Sequence, residues 1–161
     1  MPTDDDLRLL RRAIELAHVA RERGDHPFGA LLASADGTIL HEAMNTVGTT
    51  GDRTGHAERN LMTAVSTSID ADELADCTMY TSTEPCAMCA ASVYWVGVGR
   101  VVFGMSEDRL RELTGDDPEN PTLTLACRTV FASGARGTVV EGPLIESEAI
   151  GPHEGFWSRP D

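Results

Sequence analysis

Two motifs in this chain each stand at the start of a predicted helix. His56-Ala57-Glu58 and, 29 residues after His56, Pro85-Cys86-Ala87-Met88-Cys89 each stand where a loop or strand gives way to a helical pattern. The first pattern runs from His56 to about Ser66. The second runs from Pro85 to about Val96, since proline is favoured in a first helical turn. Cys86 and Cys89 are spaced i, i+3, so both sulfurs face the same way. In a first turn the free backbone N–H groups and the helix dipole favour thiolate over thiol. His56 can meet those sulfurs only if the two helix N-termini lie side by side. Glu58 diverges from His56 around the wall of a helix. Around a helix end, both converge on a point just beyond it.

The rest of the pattern is that of alternating strands and helices. Asp4 to Arg23 predicts a helix: Leu7, Leu10, Ile14 and Ala17 follow the 3.6-residue period, and Asp4–Asp6 suit the positive end of its dipole. Gly24 ends it. Phe28–Ala33 and Thr38–Ala43 flank Asp36-Gly37, a hairpin signal. A Thr- and Gly-rich loop, Thr46–Gly55, leads to His56. Strands are predicted near Cys77–Ser82, Arg100–Gly104 and Thr138–Val140, with helical pieces near Glu107–Leu113 and Ala126–Ser133. Such alternation argues one α/β domain over residues 1–161, with helices on both sheet faces. The hairpin makes the sheet mixed.

Composition narrows the chemistry. The 161 residues carry 26 acidic and 13 basic side chains, a formal charge of −13, and every basic residue is Arg. The absence of Lys excludes a lysine Schiff base and a lysine-dependent phosphate loop. So acidic a chain repels phosphate backbones, which makes a nucleic-acid partner unexpected. No apolar run approaches the ~20 residues of a membrane span, and Met1–Asp6 has no signal-peptide character, so the expected address is the cytoplasm. Four Cys in such a chain read as metal ligands or free thiols rather than disulfides.

His56, Cys86 and Cys89 therefore read as ligands of one Zn²⁺ per chain. Two thiolates and an imidazole leave zinc one position short of tetrahedral, the pattern of a catalytic site. The thiolates neutralise much of the metal charge, so a nearby carboxylate is useful as proton acceptor, and Glu58 fits. The bland alternative is a structural zinc site, in a non-catalytic binding module, with Cys77, Cys127 or another His as fourth ligand. Cys77 and Cys127 read more simply as buried small apolar residues.

The order H-x-E…P-C-x-x-C is the signature of zinc nucleobase deaminases. From about His26 to Gly104 the sequence resembles the cytidine deaminase superfamily, in particular its bacterial guanine deaminases and tRNA adenosine deaminases. Pro27-Phe28-Gly29-Ala30 and Tyr94-Trp95 are similar to guanine deaminases, Val101–Gly104 to the tRNA enzymes. The resemblance implies a three-layer α/β/α sandwich on a mixed sheet of about five strands, and a homodimer. It implies that Asn45, eleven residues before His56, and the Ala57 N–H hold the base edge, with Phe28 or Trp95 stacked on the ring. It also implies a catalytic role for one of the acidic pair Asp116-Asp117, taken as Asp117. Two departures are Gly55 where these families have alanine after a Pro-Thr pair, here Arg53-Thr54, and Arg59-Asn60 after the Glu.

The expected reaction is hydrolytic deamination of an amino-substituted nucleobase. Glu58 would carry protons from the attacking water to the ring nitrogen and the leaving amine. A guanine-type free purine is the first expectation, a free pyrimidine, triazine or modified base the second, and adenosine in tRNA the third. The segment 143–161 is read as a tail that can close the pocket. The chain has eight aromatic residues, and Phe156 and Trp157 lie within its last six positions. A free tail would be polar, so these two dock, and one reading puts them over the pocket.

Overall fold

The computed structural model describes residues 2–115 and 117–157. Five strands, β1 (Gly29–Ala33), β2 (Ile39–Met44), β3 (Thr78–Thr83), β4 (Arg100–Met105) and β5 (Val139–Glu141), form one sheet in the order β2-β1-β3-β4-β5. β1 runs antiparallel to β2 and β3, while β3, β4 and β5 are parallel. The sheet is mixed, with helices on both sides, as expected.

Strand alternation sends successive side chains to opposite layers. Leu31, Ala33, Tyr80 and Val102 face α1 (Asp4–Glu22), packing on Leu9, Leu10, Ala13 and Leu16. Ala30, Leu32, Met79, Val101 and Phe103 face the other layer. That layer holds α3 (Ala57–Val65), α5 (Ala87–Val96) and α7 (Cys127–Ala132), whose Leu61, Met62, Val93 and Phe131 complete the core. Thr3 and Asp6 form a reciprocal capping box that starts α1. Gly29 lets α1 approach β1: a Cβ there would stand 2.4 Å from the Ala13 carbonyl oxygen.

The Thr46–Gly55 loop contains a single helical turn, α2 (Val47–Thr50), closed by Gly51 at φ 74°. A short helix, α4 (Ala71–Asp76), stands where no element was predicted; Asp70 occupies its N-cap position without a side-chain cap bond, and Leu74 is its one buried residue. α6 (Glu107–Thr114) follows β4, and α8 (Glu146–Ala149) lies beside β4 on the α1 side. Pro85 lies outside α5 rather than in its first turn. Cys86 is the cap residue, extended at ψ 168°, and the helix begins at Ala87. No helix among the described residues is long and apolar enough to cross a membrane.

Candidate metal centre and base pocket

Both helix starts do meet. β3 delivers the chain to Cys86 at the cap of α5, and the loop after β2 delivers it to His56 at the cap of α3. His56 Nδ1 lies 3.6 Å from Cys86 Sγ and 3.5 Å from Cys89 Sγ. Among the described residues these three form one group whose donor atoms all lie within 4.8 Å of one another. Cys77 and Cys127 are not in it. Both are buried thiols, with burial pushing their pKa up, as expected for small core residues. One imidazole and two sulfurs on neighbouring helix ends suit zinc, whose preferred donors are nitrogen and sulfur. Cys89 donates toward Cys86, holding the Cys86 thiol down at about 4, while the same bond pushes Cys89 up. The Cys86 sulfur also holds His56 above its usual range.

Glu58 is the second residue of α3 and is 4% exposed. Thr81 Oγ1 donates to its Oε1 at 2.8 Å. Burial pushes its carboxyl up, and the charge on Cys86 adds to this. Glu58 and His56 converge beyond the helix end, in a cavity of about 90 Å³ that they line with Phe28, Glu84, Cys86 and Glu107. Leu110 and the run Asn120–Leu123 close its other wall. A wider cavity of about 590 Å³, lined by His26, Arg53, Glu119 and Asn120 among others, shares His56, Asn120 and Pro121 with it.

The remaining predicted residues fall in different places. Asn45 is fully buried; its Oδ1 accepts the Val47 N–H at 2.9 Å, and its Nδ2 has no partner among the described residues. Ala57 is buried in the first turn of α3. Trp95 is 77% exposed and lines neither cavity. It stands two residues from the buried Val93, so a 100° step per residue turns it about 200° away, to the outer face of α5. Asp117 is a turn residue that lines neither cavity; its Oδ1 accepts the Glu119 N–H at 2.9 Å. Asp116 lies outside the described residues, as do residues 158–161 of the tail. Phe156 and Trp157 dock on their own chain but line neither cavity. Trp157 packs edge-on to His26 at 5.2 Å, and its Nε1 donates to His153 Nδ1 at 3.1 Å. His153 in turn packs edge-on against Phe28 at 5.1 Å. The tail thus buttresses the pocket wall from behind.

Sequence reasoning passed over two residues of the site. Glu84 accepts the Cys127 N–H on one oxygen at 3.0 Å and the Glu107 N–H on the other at 3.1 Å, tying two helix starts to the end of β3. Glu107 lines the inner cavity. Its only sequence signal was an acid in a first turn, which the helix dipole explains equally well. The two departures at the His motif act together. Asn60 Nδ2 donates to Met44 O and Thr46 Oγ1, both at 3.0 Å, and Arg59 pairs with Asp52, so both anchor the loop before His56.

The family described as "Cytidine and deoxycytidylate deaminase zinc-binding region" matches residues 3–105. The chain is 39% identical over 155 residues to a probable cytosine deaminase of Schizosaccharomyces pombe, covering 96% of this chain and 94% of the relative. It is 37% identical over 109 residues to the guanine deaminase of Bacillus subtilis, covering 67% and 69%. Its fold is similar to that of a protein solved in complex with 2,6-diaminopurine, at a TM-score of 0.76 and 26% identity, covering 91% and 78%.

Proposed function

Since this chain belongs to the cytidine and deoxycytidylate deaminase zinc-binding family, and is thus a zinc-type hydrolytic deaminase, we propose that its substrate is a free amino-substituted nucleobase, with cytosine-type pyrimidines ahead of guanine-type purines. The observation that carries this reading is the inner cavity: about 90 Å³, reached by Glu58, and lined by no Arg. It suits a small flat base better than a phosphorylated or polymeric substrate. The probable cytosine deaminase of Schizosaccharomyces pombe, similar over nearly the whole of both chains, supports placing the pyrimidine first. The guanine-type reading is supported by the Bacillus subtilis relative and by the diaminopurine-bound fold neighbour. Adenosine in tRNA is disfavoured by the charge of −13 and the absence of Lys.

His56, Cys86 and Cys89 would hold the zinc, which when bound supplies the Lewis acidity that makes water a nucleophile near neutral pH. Glu58 performs the proton work. Buried at the end of α3 beside His56, it is placed to accept a proton from the attacking water and return it, and burial pushes its carboxyl up, toward the protonated form. The proton goes to the ring nitrogen beside the reacting carbon, and a second delivery to the departing amine releases ammonia. Thr81 fixes one Glu58 oxygen, leaving the other for this transfer. The orphan Nδ2 of Asn45 is an unused donor suited to an acceptor on the base. Phe28 supplies an apolar wall for the ring. A homodimer is part of the proposal, with the exposed Trp95 as a residue that a second copy would cover. Light scattering showing a monomer at micromolar concentration would remove it.

The test is an ammonia-release panel of cytosine, cytidine, guanine, guanosine, adenine, aza-substituted bases and tRNA. Turnover of a free base, with tRNA inert, supports the proposal. A zinc-loaded protein that releases ammonia from none of them would restore the binding-module reading.

A further inference from the structure

Three carboxyl groups line the inner cavity, and only one makes no bond to the protein among the described residues. Glu84 has both oxygens on backbone N–H groups. Glu58 accepts from Thr81. Glu107 uses its backbone N–H on Glu84, while its carboxyl group makes no hydrogen bond or ion pair among the described residues. It is nonetheless half-buried, at the start of α6, facing Glu58 and Cys86 across the cavity. A carboxyl withdrawn from water and left unpaired is costly unless something else satisfies it. Capping does not require an acid here: Ser106 caps α6 by accepting the Arg109 N–H.

Resting on the deaminase reading above, we infer that Glu107 is a specificity-determining residue that pairs with an N–H/C=O edge of the bound base. One carboxyl oxygen accepts a ring N–H in either protonation state. When protonated, the group also donates to the adjacent carbonyl, giving a two-bond pair. Burial pushes the carboxyl up, toward the form that also donates. Free cytosine and guanine each present such an edge. Substitution on that ring nitrogen destroys it, and leaves a buried carboxyl facing a methyl group or sugar. A site built to hydrogen-bond an N–H rejects the analogue lacking it far more strongly than an apolar pocket rejects a misfit. The cavity therefore selects unsubstituted lactam-bearing bases.

The experiment compares wild type, Glu107→Gln and Glu107→Leu, each with zinc content measured, on cytosine against 1-methylcytosine and guanine against 1-methylguanine. Wild type should prefer the unsubstituted base by ~10⁴-fold in kcat/KM. Glu107→Leu should lose about 100-fold on that base, mostly in KM, and lose the preference, while keeping its zinc. Glu107→Gln, which still offers an acceptor and a donor, should stay within about 10-fold of wild type. Equal rates on methylated and free base in wild type would overturn the inference. So would an undiminished preference in Glu107→Leu, or a loss confined to kcat. If Glu107→Leu does not fold, the wild-type comparison and Glu107→Gln decide. If wild type releases no ammonia from any base, the proposed function fails. Calorimetric binding of the same four bases then judges Glu107 separately, and binding without preference overturns its role.

Discussion

Two buried carboxylate clusters lie on opposite faces of the same sheet, and they are built differently. On the α1 side, Asp6 accepts from Tyr80 at 2.7 Å and pairs with Arg100 at 2.7 Å, and Arg100 also pairs with Glu141. Every charge there meets an opposite charge, and the Asp6 oxygens are fully used. On the α3 and α5 side, Glu58, Glu84 and Glu107 stand around Cys86 with no Arg among the residues lining the cavity. There the Glu107 carboxyl keeps unused oxygens among the described residues. The first cluster is complete within the fold. The second accumulates negative charge and donor atoms that suit a cation and a polar ligand from outside. Low dielectric makes unmet groups expensive, so their concentration at one end of two helices marks the place where binding energy is to be gained.

The sharpest break between the clusters is Cys86→Ala. It should empty the centre of zinc and abolish ammonia release. It should also lower stability by about 3–4 kcal/mol, the worth of a ligand present at several hundred times its Kd. Metal analysis and a melting curve check this. A variant that keeps a full zinc equivalent would place the ligand set elsewhere.

Asp6→Ala should do the converse. Leaving Arg100 with one partner fewer should cost about 3 kcal/mol of stability, while zinc content and kcat stay at wild-type values. The pH dependence has a definite sign. The Arg100 guanidinium holds Asp6 well below its usual 3.8. A carboxyl depressed in the fold stabilises above its unfolded pKa, and that contribution is lost as pH falls through and below the usual value. Acid titration of the Tm should therefore show a steeper fall below pH 4 in wild type than in Asp6→Asn. Equal slopes would mean the network contributes nothing.

Trp157→Ala tests whether the tail buttress belongs to the fold or to the site. Removing a 7% exposed indole should cost about 3 kcal/mol. It should raise KM a few-fold through the His153–Phe28 contact, without altering kcat. A loss in kcat alone would return the tail to the role of a lid. The smallest effect belongs to the Asp52–Arg59 pair, both partners more than a third exposed. Arg59→Ala should change stability by less than about 1 kcal/mol.

The metal-facing half of this arrangement was legible because its residues are tied to helix starts. Extended cap residues, a Cys pair at i, i+3 and His-x-Glu have few places to go, and neighbouring helix ends bring them together. The rest of the cavity lining comes from surfaces that local pattern does not encode. Trp95 and Phe28 look alike as aromatic residues beside a motif, yet one faces solvent and one lines the cavity. Asp117 and Glu107 are both acids after β4, and only the course of the chain around α6 places Glu107, not Asp117, at the wall. α4 is not legible in the sequence because six residues with a single buried Leu74 carry no period to read.

The central claim is that Glu58 moves the protons while His56, Cys86 and Cys89 hold the metal independently of it. Glu58→Ala, measured for zinc and for kcat on whichever base wild type turns over fastest, tests it most directly. The variant should keep one zinc per chain and an unchanged fold, with kcat lower by at least ~10³-fold, the range of a general acid–base group serving more than one transfer. A zinc-loaded variant retaining a tenth of wild-type kcat would contradict it and assign the proton transfers to another group.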